Sequence, residues 1–230
     1  MHQDNRFILK DVVCDAVLLV EGIDDARFFE AFLGWLGKVD DVQVAQVGGK
    51  DRFRQFLDGP LKRANNFPRL RRLGIIRDAD SDASAAFQSL CGSLTDAALP
   101  APTQAWAWRP TRQGGLDVSV AILPDMSSDG NLEEVCLRSL KAEPELSCIN
   151  DYIGCIARTS SPISAHHLAK AKIYTYLAAG AGPGRGSSQD RDPTGREKPG
   201  LRLGESAEKG IWTWDDPAFQ QLKDWLLDLS

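Results

Sequence analysis

Five carboxylates follow two short apolar runs of the sequence, at residues 16–20 and 73–76. They are Glu21, Asp25, Asp78, Asp80 and Asp82. A short apolar run that stops at charged residues is typical of a buried strand in a parallel sheet. Because ligands of open α/β sheets bind outside the carboxyl ends of the strands, we expect the five side chains to meet at one sheet edge. Clustered carboxylates repel each other unless a cation lies among them, and Mg²⁺ is a hard cation that prefers oxygen ligands.

Each group of acids also has a simpler interpretation. Asp24 and Asp25 are placed to cap and charge the N-terminus of a following helix. Asp78, Asp80 and Asp82 have the turn chemistry of a solvated loop. Because both strand-like runs end in acids, we favour metal binding over a helix cap and a solvated loop.

The other apolar patterns predict the elements that would position these acids. Predicted strands cover residues 16–20, 42–47, 73–76 and 118–123. Predicted helices cover residues 24–36, 51–57, 83–94 and 132–140, and Asn131 or Asp129 would cap the last of them. Regular alternation of strands and helices predicts an α/β fold in which helices cover both faces of a mostly parallel central sheet.

The alternation stops near residue 150. We therefore predict an α/β core over residues 1–150 and a C-terminal helical extension over residues 151–230. Predicted helices of the extension cover residues 166–177, 201–209 and 216–229. Residues 178–199 are rich in Gly, Pro, Ser and charged residues, which predicts a mobile loop.

Composition narrows the class of protein. Of the 230 residues, 43% are hydrophobic, which is typical of a globular chain. No apolar run approaches the ~20 residues of a membrane span, so we predict no membrane partner. The first residues lack the apolar core of a signal peptide, and the five scattered cysteines include no CxxC pair. Both features favour a location in the reducing cytoplasm. A net charge of −5 argues against binding nucleic acid by bulk charge, but not against a metal site that is itself acidic.

The acids at the two strand ends resemble the motifs of the Toprim domain, which topoisomerases, primases and nucleases of the OLD (overcoming lysogenization defect) type share. Glu21 followed by Gly22 matches the first motif, and Asp78 with Asp80 matches the second. Asp25, four residues after Glu21, is similar to the EGxxD version of OLD-type nucleases. The segments at residues 48–50, 123–125 and 130–134 (GGK, LPD and GNLEE) are similar to small stand-alone bacterial Toprim-like proteins.

The resemblance implies a Rossmann-like Toprim fold and cleavage of phosphodiester bonds in nucleic acid, DNA more than RNA. Two Mg²⁺ or Mn²⁺ ions would offset the charge of the transition state. Their ligands would be Glu21, Asp78 and Asp80, with Asp25 and Asp82 completing the pair of sites. Glu21 would alternatively act as general base or acid. Glu133 or Glu134 would hold the second ion, unless both only place favourable charge at a helix N-terminus.

A positive group should face the phosphate of such a substrate. A lysine of the corresponding region serves the reaction in OLD-type nucleases, and here Lys170 and Lys172 are the candidates. They are two residues apart, so on a helix only one can reach the site. We favour Lys172 and place Lys170 second, with two surface lysines as the simpler interpretation. Gly49 and Lys50 follow a predicted strand and are expected to contact phosphate through backbone N–H groups and charge.

Two rival functions remain. A phosphatase of the haloacid-dehalogenase type also places a DxD motif after a strand, with Asp78 as nucleophile and Asp80 as acid, but it gives Glu21 no role. The other rival is a non-catalytic Toprim module that binds nucleic acid or a separately encoded ATPase. OLD-type nucleases carry an ATPase in the same chain, and this sequence contains no GxxxxGK[ST] motif. A homodimer is a further prediction.

Overall fold

The computed structural model describes residues 5–108, 115–159, 163–179 and 201–230. Its four strands are β1 (Ala16–Val20), β2 (Val42–Gln46), β3 (Arg72–Asp78) and β4 (Asp117–Leu123). They form one parallel sheet in the order β2-β1-β3-β4. The chain runs from β1 outward to β2 on one side, and β3 and β4 lie on the other side. The strand order therefore reverses between β1 and β3, which is where open α/β sheets bind ligands.

Eight α-helices are described. They are α1 (Ile23–Trp35), α2 (Phe53–Phe56), α3 (Ala83–Asp96), α4 (Leu132–Ser139), α5 (Pro144–Thr159), α6 (Ala165–Ala178), α7 (Leu203–Glu208) and α8 (Gln220–Leu229). On one face of the sheet, Leu18, Val20 and Ile76 pack in a core with α1 and with α4 through α8. On the other face, Leu19 and Ile75 pack with α2 and α3. The predicted α/β fold, with a parallel sheet covered on both faces and C-terminal helices, is confirmed.

The C-terminal helices share a core with the sheet. Trp225 of α8 donates a hydrogen bond from Nε1 to the hydroxyl of Ser119 in β4, at 2.8 Å. Gly74 of β3 faces the same indole: a Cβ at this position would lie 2.9 Å from Trp225, so a larger residue would push α8 off the sheet. The predicted division near residue 150 stays a prediction.

Some predicted elements differ from those observed. The helix predicted at residues 51–57 is a short 3-10 turn (Lys50–Arg52), then α2, then a π-helical turn (Leu57–Leu61). Pro60 lies inside that last turn and lacks the N–H that a regular helix needs, which explains the change of register. Helix α5 was not predicted. The final predicted helix begins later, at Gln220, because a 3-10 turn capped by Asp216 precedes it.

Two further predictions can be placed only in part. The loop predicted at residues 178–199 lies outside the described residues except for its first two positions. In the described part of the chain, no helix combines the length and the apolar character that crossing a membrane requires.

Candidate active site

The structure brings Glu21 and Asp78 together at the carboxyl ends of the two central strands. Glu21 directly follows β1, and Asp78 is the last residue of β3, the neighbouring strand. The backbone N–H of Asp78 donates a hydrogen bond to Oε1 of Glu21 at 3.2 Å. The two acidic motifs, 57 residues apart in sequence, therefore meet through a direct contact.

Two helix N-termini add carboxylates to the same place. Asp25 lies in the first turn of α1, and its Oδ2 accepts a hydrogen bond from the N–H of Gly22 at 2.9 Å. Glu133 lies in the first turn of α4 and is only 6% exposed. The N–H of Leu132, also in that turn, donates to Oδ1 of Asp78 at 3.0 Å. The positive ends of two helix dipoles thus partly offset the negative charge of the cluster.

These four residues, Glu21, Asp25, Asp78 and Glu133, are named the carboxylate cluster here. Burial, followed by the charges of Asp25 and Glu21, raises the pKa of Asp78 well above its ordinary value. Burial, followed by the charge of Glu21, raises the pKa of Asp25 to about 7. Burial also raises the pKa values of Glu21 and Glu133. A cation among these groups would favour their ionised forms and relieve the repulsion.

A small cavity of about 10 Å³ lies within the cluster. Its lining consists of Val20, Glu21, Asp25, Phe29, Ile76, Arg77, Asp78 and Leu123. This volume suits about one water-sized particle. Three carboxylates around a space of that size match the oxygen-only ligand preference of a small divalent cation.

The side chains do not yet have the arrangement of a metal site. Across the described ranges of the chain, no three His, Cys, Asp or Glu residues are placed to hold one ion. One oxygen each of Glu21, Asp25 and Asp78 accepts a backbone N–H. The donor chemistry of the cluster fits a divalent cation, and binding one would require side-chain rotation and loss of protons from the carboxyl groups.

Lys170 of α6 supplies positive charge on the α4 side of the cluster. Its Nζ lies 3.9 Å from Oε1 of Glu133. The ammonium lowers the pKa values of Glu133 and Asp78, although burial outweighs it at both. Lys170, the second choice from sequence, therefore contacts a member of the cluster, whereas the favoured Lys172 lines a depression beside Asp80 and Glu134.

The Gly-Gly-Lys turn after β2 supplies a cation on the other side. The backbone N–H groups of Gly48 and Gly49 both donate to the carbonyl oxygen of Glu21, at 3.0 and 2.8 Å. Both glycines have positive φ values, 88° and 127°, which L-residues with a side chain rarely adopt. The turn carries Lys50 toward β3, where its Nζ donates to Oδ2 of Asp80 at 2.7 Å.

The remaining predicted ligands lie beside the cluster. Asp80 has a φ of 55° and exchanges two backbone hydrogen bonds with Gly130. Asp82 accepts from the N–H of Ala85 at 2.8 Å, so it serves as the N-cap of α3. Glu134 and Lys172 line a depression of about 330 Å³ that also includes Asp80. Glu133, rather than Glu134, is therefore the acid of α4 that joins the cluster.

Two acids near the cluster have structural partners instead. Asp24 accepts a hydrogen bond from the N–H of Gly204 at 2.9 Å, which joins α1 to α7. Asp125, in the Leu-Pro-Asp segment, pairs with Arg138 at 2.9 Å and accepts from Ser127. Although burial acts against it, hydrogen bonds from Ser127 and Arg138 lower the pKa of Asp125 to about 2.

Arg77 is a member of the site that sequence reasoning missed. It lines the small cavity, and its charge lowers the pKa of Glu21, where burial nevertheless prevails. The signal was an arginine between the apolar run at residues 73–76 and the first acid of the second motif.

The fold and the site define a class of protein: an α/β chain with a partly buried carboxylate cluster where its two central parallel strands end. Residues 15–230 match the family described as "Protein of unknown function (DUF3226)", and the chain belongs to that family. No curated protein and no solved structure matches the chain. The relationship to Toprim proteins stays a prediction.

Proposed function

We propose that the protein cleaves phosphodiester bonds of nucleic acid, DNA more than RNA, with Mg²⁺ or Mn²⁺ at the carboxylate cluster. The observation that carries the proposal is the convergence of four acids, Glu133 buried and the other three half-buried, whose pKa values are raised. Burying acids that repel each other has an energetic cost. Such cost is typical of a functional site, and a divalent cation is the partner that would remove it.

Each residue of the site has a role in this proposal. Glu21, Asp25, Asp78 and Glu133 would hold the metal, with Asp80 as a further ligand once it leaves Lys50. When bound, the metal supplies positive charge that stabilises the attacking and leaving oxygens of the reaction. Lys170, beside Glu133, faces the negative charge that develops on the phosphate.

The cleavage itself is a hydrolysis. The oxygen of a water forms a bond to phosphorus while the bond from phosphorus to a sugar oxygen breaks. In the alternative in which Glu21 is a general base rather than a metal ligand, it accepts the proton of the attacking water, and its raised pKa brings its basicity nearer to what this transfer needs at neutral pH. Otherwise this proton passes to solvent. The leaving sugar oxygen takes a proton from solvent.

The surroundings of Asp78 argue against the phosphatase alternative. A nucleophilic aspartate must be ionised and reachable by a phosphate ester. Here the pKa of Asp78 is raised by burial, Oδ1 already accepts from Leu132, and the adjoining cavity holds only about 10 Å³.

The proposal also includes a separately encoded ATPase partner, a homodimer and a cytoplasmic location. These parts rest on the resemblance to OLD-type proteins and on the cysteine pattern.

The test is cleavage of supercoiled plasmid, single-stranded DNA and RNA with Mg²⁺, Mn²⁺ or EDTA. We expect metal-dependent nicking of DNA, and a loss of about 100- to 10,000-fold in Glu21→Gln if Glu21 is the general base. Asp151→Asn, on the exposed side of α5, is the control and should cut like the wild type. Intact nucleic acid under every condition, with melting temperatures that rise with metal, would instead indicate a non-catalytic module.

A further inference from the structure

The Gly-Gly-Lys turn after β2 lies at the same sheet edge as the carboxylate cluster. Its backbone is held in place, because the N–H groups of Gly48 and Gly49 both donate to the carbonyl oxygen of Glu21. With these N–H groups occupied, the part of the turn that can meet an anion is the side chain of Lys50. This side chain is 47% exposed, so an anion from solvent can reach it.

Lys50 is paired with a carboxylate that the proposed metal also uses. Its Nζ lies 2.7 Å from Oδ2 of Asp80, and Asp80 is the further ligand in the proposed metal site. An ammonium and a metal ion on the same carboxylate repel each other at such short range. Lys50 and the metal therefore compete for Asp80.

Only side chains need to move for Asp80 to change partners. The backbone of Asp80 is held by two hydrogen bonds that it exchanges with Gly130. The side chains of Lys50 and Asp80 are both partly exposed, and an ion pair at such positions contributes little to stability, so it breaks readily. Asp80 also lines a depression of about 330 Å³, which gives a phosphate the room that the cavity of about 10 Å³ does not.

Both members of the pair lie within electrostatic range of the cluster. Burial has the largest effect on the pKa of Glu21 and raises it; in addition, the charge of Asp80 raises this pKa and the charge of Lys50 lowers it. Separating Lys50 from Asp80 therefore changes the electrostatic environment of an acid in the cluster.

We propose that Lys50 exchanges Asp80 for a phosphate of the nucleic acid, and that this exchange releases Asp80 to the metal. The inference rests on the proposed function. The lysine ammonium is a compact charge on a flexible four-carbon stem, which suits a group that moves between two anions. Because the substrate draws Lys50 away from a metal ligand, nucleic acid and metal each strengthen the binding of the other.

The experiment is a double-mutant cycle of Lys50→Met and Asp80→Asn. Ca²⁺ replaces Mg²⁺ so that the DNA stays intact, and the salt concentration is held at about 0.15 M to screen long-range charge effects. Calorimetry measures Ca²⁺ binding to the DNA-free proteins. Fluorescence anisotropy measures binding of a labelled oligonucleotide with EDTA and with saturating Ca²⁺, and melting temperatures verify that each variant is folded.

Lys38→Met is the matched control. Lys38 forms the same type of ion pair, with Asp41, but at the opposite end of β2 from the Gly-Gly-Lys turn. This variant should keep the wild-type affinities for Ca²⁺ and for DNA.

We expect the wild type to bind the oligonucleotide at least about 5-fold more tightly with Ca²⁺ than with EDTA. Lys50→Met should bind Ca²⁺ about 2- to 5-fold more tightly than the wild type, the range for releasing one exposed ion pair. The gain in DNA affinity on adding Ca²⁺ should shrink by the same factor. In the Asp80→Asn background, Lys50→Met should leave the Ca²⁺ affinity unchanged, because no carboxylate is released.

Two results would overturn the exchange. One is a wild-type Ca²⁺ affinity in Lys50→Met, with DNA binding that is weakened equally in EDTA and in Ca²⁺, since Lys50 would then be a static phosphate contact. The other is an equal gain in Ca²⁺ affinity with and without Asp80, since Lys50 would then act only through its charge. Should Lys50→Met fail to fold, Lys50→Gln is measured against the same criteria.

The outcomes also separate this inference from the proposed function. If the wild type binds Ca²⁺ and DNA but cuts nothing with Mg²⁺, cleavage is refuted, and the cycle still decides the exchange. If the wild type cuts DNA and Lys50→Met matches Lys38→Met in both affinities, the exchange is refuted and cleavage stands. A wild type that binds neither Ca²⁺ nor DNA overturns both.

Discussion

Asp25→Asn should make the metal-free protein more stable above neutral pH. The folded state raises the pKa of Asp25 from 3.8 to about 7, so the folded chain binds this proton more tightly than the unfolded chain does. The stability that this bound proton gives to the folded state is fully present below about pH 4 and is lost as pH rises through about 7. A difference of about three pKa units corresponds to about 4 kcal/mol of unfolding free energy.

Asparagine removes this dependence because it is neutral at every pH, and its Oδ1 can still accept from Gly22. At pH 8 we expect Asp25→Asn to exceed the wild type by up to about 4 kcal/mol, or about 8–16 °C in melting temperature for a chain of this size. At pH 5 the difference in unfolding free energy between the two proteins should be less than half of its value at pH 8. Urea unfolding and thermal melts at both pH values, without metal, measure it.

Asp151→Asn is the control, since it makes the same substitution at an exposed position of α5. Added Mg²⁺ should raise the melting temperature of the wild type, because it binds the native state, and the rise should be smaller in Asp25→Asn. The reasoning is refuted if Asp25→Asn keeps the pH dependence of the wild type, or is less stable than the wild type at pH 8.

Four other substitutions test the neighbouring structure. Gly204→Ala should destabilise the protein by about 1–3 kcal/mol, because the added Cβ would lie 2.5 Å from the carbonyl oxygen of Asp24. Gly92→Ala, in the interior of α3 with nothing within 4 Å of the added Cβ, should stabilise it by about 0.5–1 kcal/mol in the same urea titration. Asp125→Asn should cost about 2 kcal/mol at pH 7 and less than about 0.5 kcal/mol at pH 2, since the folded state lowers the pKa of Asp125 to about 2. A cost that does not change with pH would contradict this reasoning. Lys170→Met should lower the kcat of the proposed DNA cleavage by about 100-fold. If Lys172→Met lowers kcat equally, the proximity of Lys170 to Glu133 does not matter.

The sheet could be predicted from the sequence because its strands have a simple pattern. β1 and the middle of β3 are buried apolar runs, and each run ends abruptly at charged residues. Helix α5 could not be predicted in the same way. Only Ile149 and Ile153 of its sixteen residues are buried, so too few apolar positions recur to reveal a helical face.

The acids of the site were predictable as a group but not individually. Asp78 and Asp82 have the same chemistry and lie four residues apart, yet one lies half-buried beside Glu21 and the other caps α3. The difference arises because β3 ends at Asp78 and the chain turns immediately, with Asp80 at positive φ. The choice between Lys170 and Lys172 depended on how α6 is rotated against α4, which only tertiary packing decides.

The hydrogen bonds that join the strand ends also bear on the order in which the protein folds. The contact from Asp78 to Glu21 spans 57 residues, and the contact from Leu132 to Asp78 spans 54. Such long-range contacts become favourable only after the chain has lost the entropy of closing large loops, which slows their formation. The pairing of β1 with β3 joins residues a similar distance apart in sequence, so the acidic edge should assemble late, together with the register of the central strands. A partly folded chain, during synthesis or after stress, would present scattered acids and no assembled site.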